Sequence, residues 1–205
     1  MPWTPPGRNC GACGLKDCNT FMEMVKKEEK RKSDCPFYLN ETQGVAPPLT
    51  HYPDRDILGD PVEFVLEPLT GEVSARKLLL PFRSDLVEKW NIQPGDIVTG
   101  RPMGAGCPVQ HVLLVLSASM VSGVLTCHVV GPAWSRGKEV KDLEAYHIIG
   151  FEGIAVPVLK EPIFGKRMRF LPGFCMMNLG HTGVVNMILG TKAGLHVRVE
   201  DIRLL

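Results

Sequence analysis

"HVLLVLSASMVSGVLTCHVV", residues 111–130, decides the fold. Two runs rich in Val and Leu, 111–118 and 121–130, flank the short connection "ASMVSG". Runs of this length and composition read as β-strands, and the connection reads as a tight hairpin. Cys127 lies inside the second run, where a thiol is expected to be a buried, inert group.

The same texture extends in both directions. Further strands are expected at 62–67, 72–80, 96–100, 144–149 and 153–158. "GLHVRVEDIRLL" closes the chain as a strand with alternation at Leu195, Val197 and Val199. A short helix is expected over 84–90 with Ser84 as its N-cap. "HTGVVNMILG", 181–190, is expected as another helix, stopped by Gly190. "WNIQPGDIVTG", 90–100, is similar to a turn found in double-psi and related barrels. Short strands with few helices predict a small barrel or sandwich decorated by loops.

The first 45 residues differ. They hold four of the seven cysteines and the charge run "KKEEKRK" at 26–32. "APPLTHYPD", 46–54, reads as a linker or extended crossing. A helix is expected over 19–31, capped by Asp17 or Asn19, with Phe21, Met24 and Val25 on one face. The charge run reads most simply as a solvated helix face.

Composition narrows the function. Of 205 residues, 44% are hydrophobic, enough for a core. Lys and Arg number 23 against 22 Asp and Glu, which lacks the basic excess of a nucleic-acid-binding protein. No run of 18 apolar residues predicts a membrane span, and the N-terminus has no secretory pattern. A cytoplasmic, reducing setting is expected. There, clustered cysteines bind metal more often than they form disulfides.

The cluster is "RNCGACGLKDCNTF", 8–21, with Cys35 directly before Pro36. The spacing is Cys10-x2-Cys13-x4-Cys18-x16-Cys35. Tetrahedral zinc takes four thiolates too, but structural zinc sites commonly use two paired knuckles. Three ligands on one loop and a fourth far away suit a cubane better, because its irons occupy alternate corners. Gly11 and Gly14 each follow a cysteine and free the backbone to approach such a group closely.

The stretch resembles the four-cysteine iron–sulfur domain with the pattern CGxCGxxxCxxF and a distant Cys-Pro. That domain occurs in the large subunit of the corrinoid iron–sulfur protein and in the B subunit of Rnf-type oxidoreductases. The match is "CGACGLKDCNTF" plus "CP" at 35–36, covering about residues 8–40. The resemblance implies that Cys10, Cys13, Cys18 and Cys35 ligate one [4Fe–4S] cluster, with Phe21 packed near it. It also implies a low potential and an anaerobic metabolism. "LKD" at 15–17 departs from the family and makes the surroundings more charged.

The fold class expected is therefore α+β: a small helical iron–sulfur module over 1–45, then a β-rich barrel- or sandwich-like domain over 46–205 without an assigned role. Two further segments stand out. "GRPMGAGCPVQH", 100–111, is a Gly- and Pro-rich loop able to bind an anion, approach a cofactor or simply shape the fold. "RFLPGFCMMNLGHTGVVN", 169–186, is rich in Met and Phe and reads first as packing. Cys107, His111, Cys175 and His181 form two Cys–His pairs that could make a second metal site. "GPAWSRGKE", 131–139, reads as an exposed turn that could meet an acidic partner through Arg136 and Lys138.

Three functions follow. The first is an electron-transfer subunit or accessory protein, itself non-catalytic, serving a protein redox partner or larger enzyme complex. The second is a reductase-type enzyme with a flavin, pterin or corrinoid site in the second domain. The third is a structural or assembly factor stapled by its cluster.

Overall fold

The computed structural model describes residues 4, 5, 7, 9, 11, 13–35, 54–103, 107–173 and 177–204. Most of the expected linker, and Cys10, Pro36 and Cys175, lie outside the described residues. The strands are β1 (Phe64–Glu67), β2 (Arg76–Pro81), β3 (Ile97–Pro102), β4 (His111–Ala118), β5 (Leu125–Val130), β6 (Val140–Pro157), β7 (Arg167–Pro172), β8 (His181–Thr191) and β9 (Gly194–Leu204). Helix α1 spans Cys18–Lys26 and α2 spans Asp85–Lys89; two 3-10 turns cover Lys32–Asp34 and Pro132–Ser135.

The α+β expectation, a helical module followed by a barrel- or sandwich-like domain, does not hold. The described chain is mostly β, and its nine strands belong to one hydrogen-bonded sheet. The physical reason lies in β6. "GFE", 150–152, separates the strands expected at 144–149 and 153–158, yet residues 140–157 form one strand. A Cβ on Gly150 would stand 2.6 Å from the Val199 carbonyl oxygen, and one on Gly153 would stand 2.3 Å from that of Glu67. These glycines let neighbouring backbones approach rather than ending the strand.

Length makes β6 the spine. It pairs with β3 in parallel, and with β2, β9 and β1 in antiparallel sense. The pairing returns on itself twice. One circuit runs β6-β2-β5-β4-β3 and back to β6; the other runs β6-β9-β8-β7-β1 and back to β6. Each circuit surrounds its own apolar cluster. Leu79, Leu113, Leu125 and Tyr146 fill the first; Phe64, Phe151, Phe170 and Val197 fill the second. Half-buried Ile148 packs against both.

The hairpin that opened the reading is β4–β5, with Val115 opposite Cys127. Cys127 is fully buried, and burial pushes its thiol pKa upward. The expected helix at 181–190 is strand β8 instead. Burial there alternates at His181, Gly183 and Val185, and the residues pair with β9. Strand β7 was not expected and only overlaps the start of the 169–186 segment that read as packing; it buries Met168 and Phe170 and pairs in parallel with β1. Helix α2 follows Ser84 as expected, although the Ser84 side chain makes no capping bond. Helix α1 stops at Lys26, short of the expected 31, because Glu28 takes a left-handed φ of 61°. Most of the charge run thus forms turns past the helix, exposed except at half-buried Lys30. No described helix is long and apolar enough to cross a membrane.

Candidate functional site

Two regions bring chemistry-bearing residues together. The first is the loop and helix over 11–35. Asp17 caps α1: its Oδ1 accepts the Thr20 N–H at 2.7 Å. That bond, ahead of burial, which opposes it, holds the Asp17 carboxyl below its ordinary value. Cys18 is the first helical residue, and its N–H donates to Asn9 Oδ1 at 2.8 Å. Gly11 and Gly14 take left-handed φ of 71° and 83°, and the Gly14 N–H closes a turn onto the Gly11 carbonyl at 2.8 Å. Lys30 Nζ donates to the Cys13 carbonyl at 3.3 Å, tying the far end of the segment back to the loop. Cys13 and Cys18 are half-buried, while Cys35 and Phe21 are buried.

This loop is seated on the turn after β5. Trp134 Nε1–H donates to the Asn9 carbonyl, and Arg136 Nη1 donates to that of Gly14 at 3.1 Å. Gly11 faces Ala133 so closely that a Cβ there would lie 2.9 Å from the Ala133 Cβ. "GPAWSRGKE" is thus a seat for the cysteine loop as well as a turn. Sequence reasoning missed Ala133 and Trp134 because no local pattern marks a contact across more than 120 residues. Thiolates are soft donors that suit iron–sulfur clusters and zinc, so the described cysteines fit such a group chemically.

The second region lies where the two circuits meet. A cavity with about 30 Å³ of open space is lined by Lys77, Cys107, His111, Phe151 and His181, among others. Three of the four residues expected as a second site therefore share one cavity wall; the fourth, Cys175, lies outside the described residues. Among the described residues, no three Cys, His, Asp or Glu side chains converge to hold a metal ion.

Two residues of this cavity region were not anticipated. Lys77 is 3% exposed and Tyr146 is fully buried. Lys77 Nζ lies 3.0 Å from the Tyr146 hydroxyl, which lies 2.7 Å from His111 Nδ1. His111 Nε2 lies 3.9 Å from Cys107 Sγ. Burial first, then the positive charge of Lys77, lowers His111 to about 3, so its ring is neutral at pH 7. His181 is likewise lowered to about 3, by burial and then by Lys77. Its Nδ1 bonds the Leu179 carbonyl at 2.9 Å. The one signal for Lys77 was a lysine inside an apolar run, "ARKLLL". Val129 lines the cavity, and Trp134 holds the cysteine loop. Five residues reach at most about 18 Å, so the two regions are neighbours.

Comparison with known proteins gives three findings. Residues 6–37 match the family described as "Putative Fe-S cluster". The chain is 33% identical over 204 residues to "Uncharacterized protein MJ0119" of Methanocaldococcus jannaschii, an alignment covering 91% of this chain and 86% of that protein. No solved structure matches the chain. The protein belongs to the family of that M. jannaschii protein and carries, at residues 6–37, a small iron–sulfur cluster-binding domain.

Proposed function

We propose that this protein is an electron-transfer component of a larger redox system, holding a [4Fe–4S] cluster on Cys10, Cys13, Cys18 and Cys35. Bound there, such a cluster supplies reversible one-electron chemistry whose potential depends on burial, charge and hydrogen bonds to sulfur. The observation that carries the reading is the cysteine loop itself. The family match covers it, and its described part is clamped at Asn9, Gly11 and Gly14 by residues 133–136.

The chain's own residues have definable roles. Asp17 and Asn9 fix the start of α1, and with it the Cys18 backbone. Ala133 and Trp134 cover one side of the loop, which reduces solvent access there. Lys30 and Arg136 place positive charge beside a site whose thiolates and cluster would be anionic. The low potential, the anaerobic and cytoplasmic setting and a protein partner belong to the same proposal. So does the division into a cluster module over 1–45 and a larger unit over 46–205.

The test is anaerobic purification or reconstitution, with iron and acid-labile sulfide counted per chain. Electron paramagnetic resonance would follow reduction by a low-potential donor. Four irons, four sulfides and a reducible signal are expected, each lost on Cys13→Ser or Cys35→Ser. Stoichiometric zinc without labile sulfide would overturn the reading. A cluster that resists reduction, yet whose removal unfolds residues 11–35, would make it a staple.

A further inference from the structure

We infer that the groove between α2 and the first residues of β6 is a docking site for an extended, arginine-bearing segment of a partner protein, which adds to the sheet as a strand. The groove follows from how β2 ends. Pro81 of β2 and Pro102 of β3 both pair with Tyr146, on opposite edges of β6. Toward the start of β6, the β3 side stays paired as far as Val140. On the other side β2 stops. The Phe82 N–H donates to the Ala145 carbonyl at 3.0 Å, and the chain then turns away into α2. No described strand pairs with that edge over 140–143. Past Leu143 the strand bulges: Glu144 takes a left-handed φ of 58° and turns its N–H onto Asp142 Oδ1 at 2.9 Å. What is left is an edge of about 13 Å, at about 3.3 Å per residue, which presents backbone donors and acceptors to an incoming strand.

Two hollows of about 310 and 500 Å³ lie along this edge and share Trp90, Asp142 and Glu144. Trp90 is half-buried and packs against the first apolar cluster. Phe82, also lining the groove, is 67% exposed. Glu139, Asp142 and Glu144 are exposed, and none has a salt bridge among the described residues. The neighbouring cations are already taken: Lys141 Nζ lies 2.6 Å from Asp96 Oδ2, and Arg83 Nη2 lies 2.6 Å from Asp85 Oδ2. Carboxylates beside an aromatic face suit arginine, whose planar guanidinium bonds the first and stacks on the second. A second copy of this strand does not fit, because antiparallel pairing of 139–144 with itself brings like charges together. A small cation would meet the carboxylates and leave the edge open, whereas an extended segment satisfies both. Position gives the groove a use. Glu139 follows Arg136, which holds the Gly14 carbonyl, by three residues, so the groove opens within about 11 Å of the seat of the cysteine loop. The docking surface itself rests on the sheet edge and the carboxylates, not on what the cysteines hold.

The probe is a dye-labelled peptide of about seven residues that alternates arginine with valine. It is added to the intact protein, prepared anaerobically with its metal content in place. Fluorescence anisotropy reads binding, and hydrogen exchange locates it. Binding tighter than about 1 mM is expected, with slowed exchange over 140–143. Glutamate in place of arginine in the peptide should abolish it. Methylating one alternate set of peptide nitrogens removes the donors that face β6, so one of the two sets should weaken binding by about tenfold or more. Asp142→Lys should weaken it by about tenfold. Glu139→Lys, exposed on the same groove, should do likewise, and it covers the case in which the first variant disturbs the bulge. No binding at about 1 mM, or binding that survives both methylated sets or both variants, would overturn the proposal. So would a protein that sediments as a dimer with 140–143 already protected, because the occupant would then be a second copy. None of these outcomes depends on what the N-terminal cysteines hold.

Discussion

Replacing Asp56 by Ala should cost this protein about 3 kcal/mol. The Asp56 side chain is fully buried. Its carboxylate accepts the N–H groups of Leu58 at 2.9 Å, Asp60 at 3.1 Å and Gly180 at 2.9 Å, and it pairs with Arg169. Gly180 precedes His181 of the cavity, and a Cβ at Gly180 would lie 2.6 Å from Asp56 Oδ2. One carboxylate therefore fastens the loop over 54–60 to the segment that enters β8. Removing one member of a buried pair costs about 3–5 kcal/mol, mostly because the partner is left uncompensated. Arg169 would keep Asp60 at 3.1 Å, which places the loss at the lower end.

Urea unfolding measures this directly. With a slope of about 2–3 kcal/mol per M, the midpoint should fall by about 1–1.5 M at unchanged slope. Asp56→Asn keeps the shape and one acceptor and should lose less. Asp85→Ala, which breaks the exposed pair with Arg83, should move the midpoint little. Acid supplies a second check. Burial raises the Asp56 carboxyl pKa, but Arg169 and the three N–H donors outweigh it and hold the pKa below 3.8. Its contribution is present above the unfolded value and lost as pH falls through the lower folded value. Wild type and Asp56→Ala should therefore converge in strong acid. A midpoint shift under about 0.3 M, or a gap between the two proteins that persists at low pH, would refute the reasoning.

Three further outcomes are expected. Gly11→Ala forces a left-handed residue and a Cβ against Ala133; the backbone alone costs about 1–2 kcal/mol, and Trp134 fluorescence should shift as the loop leaves its seat. Asp17→Ala removes the α1 cap and should lower the opening free energy of the Thr20 amide, read by hydrogen exchange, by about 1 kcal/mol. Burial raises the carboxyl pKa values of Glu152 and Glu72, but Arg198 and His196 at Glu152, and Arg76 and His128 at Glu72, outweigh it and hold both down. Stability measured against pH should fall as pH drops below 4.5 through those lowered values, and Glu152→Gln should flatten that fall.

What the sequence determined by itself was whatever is local. Four cysteines at fixed spacing, with glycine beside two of them, carry their chemistry in a short window. The β4–β5 hairpin is legible for the same reason, since its apolar runs and its turn are adjacent. Helix and strand became confused at 181–190, where Val, Met and Ile satisfy either period until pairing with β9 selects one. Tertiary structure alone decided that 140–157 is a single strand, because close contact with Val199 and Glu67, not any local preference, is what Gly150 and Gly153 serve. It alone seated the cysteine loop on Trp134 and joined Lys77 and Tyr146 to His111. Those partners lie 35 to 125 residues apart; strand register brings Lys77, Tyr146 and His111 within reach, and the turn after β5 brings Trp134 to the Asn9 carbonyl.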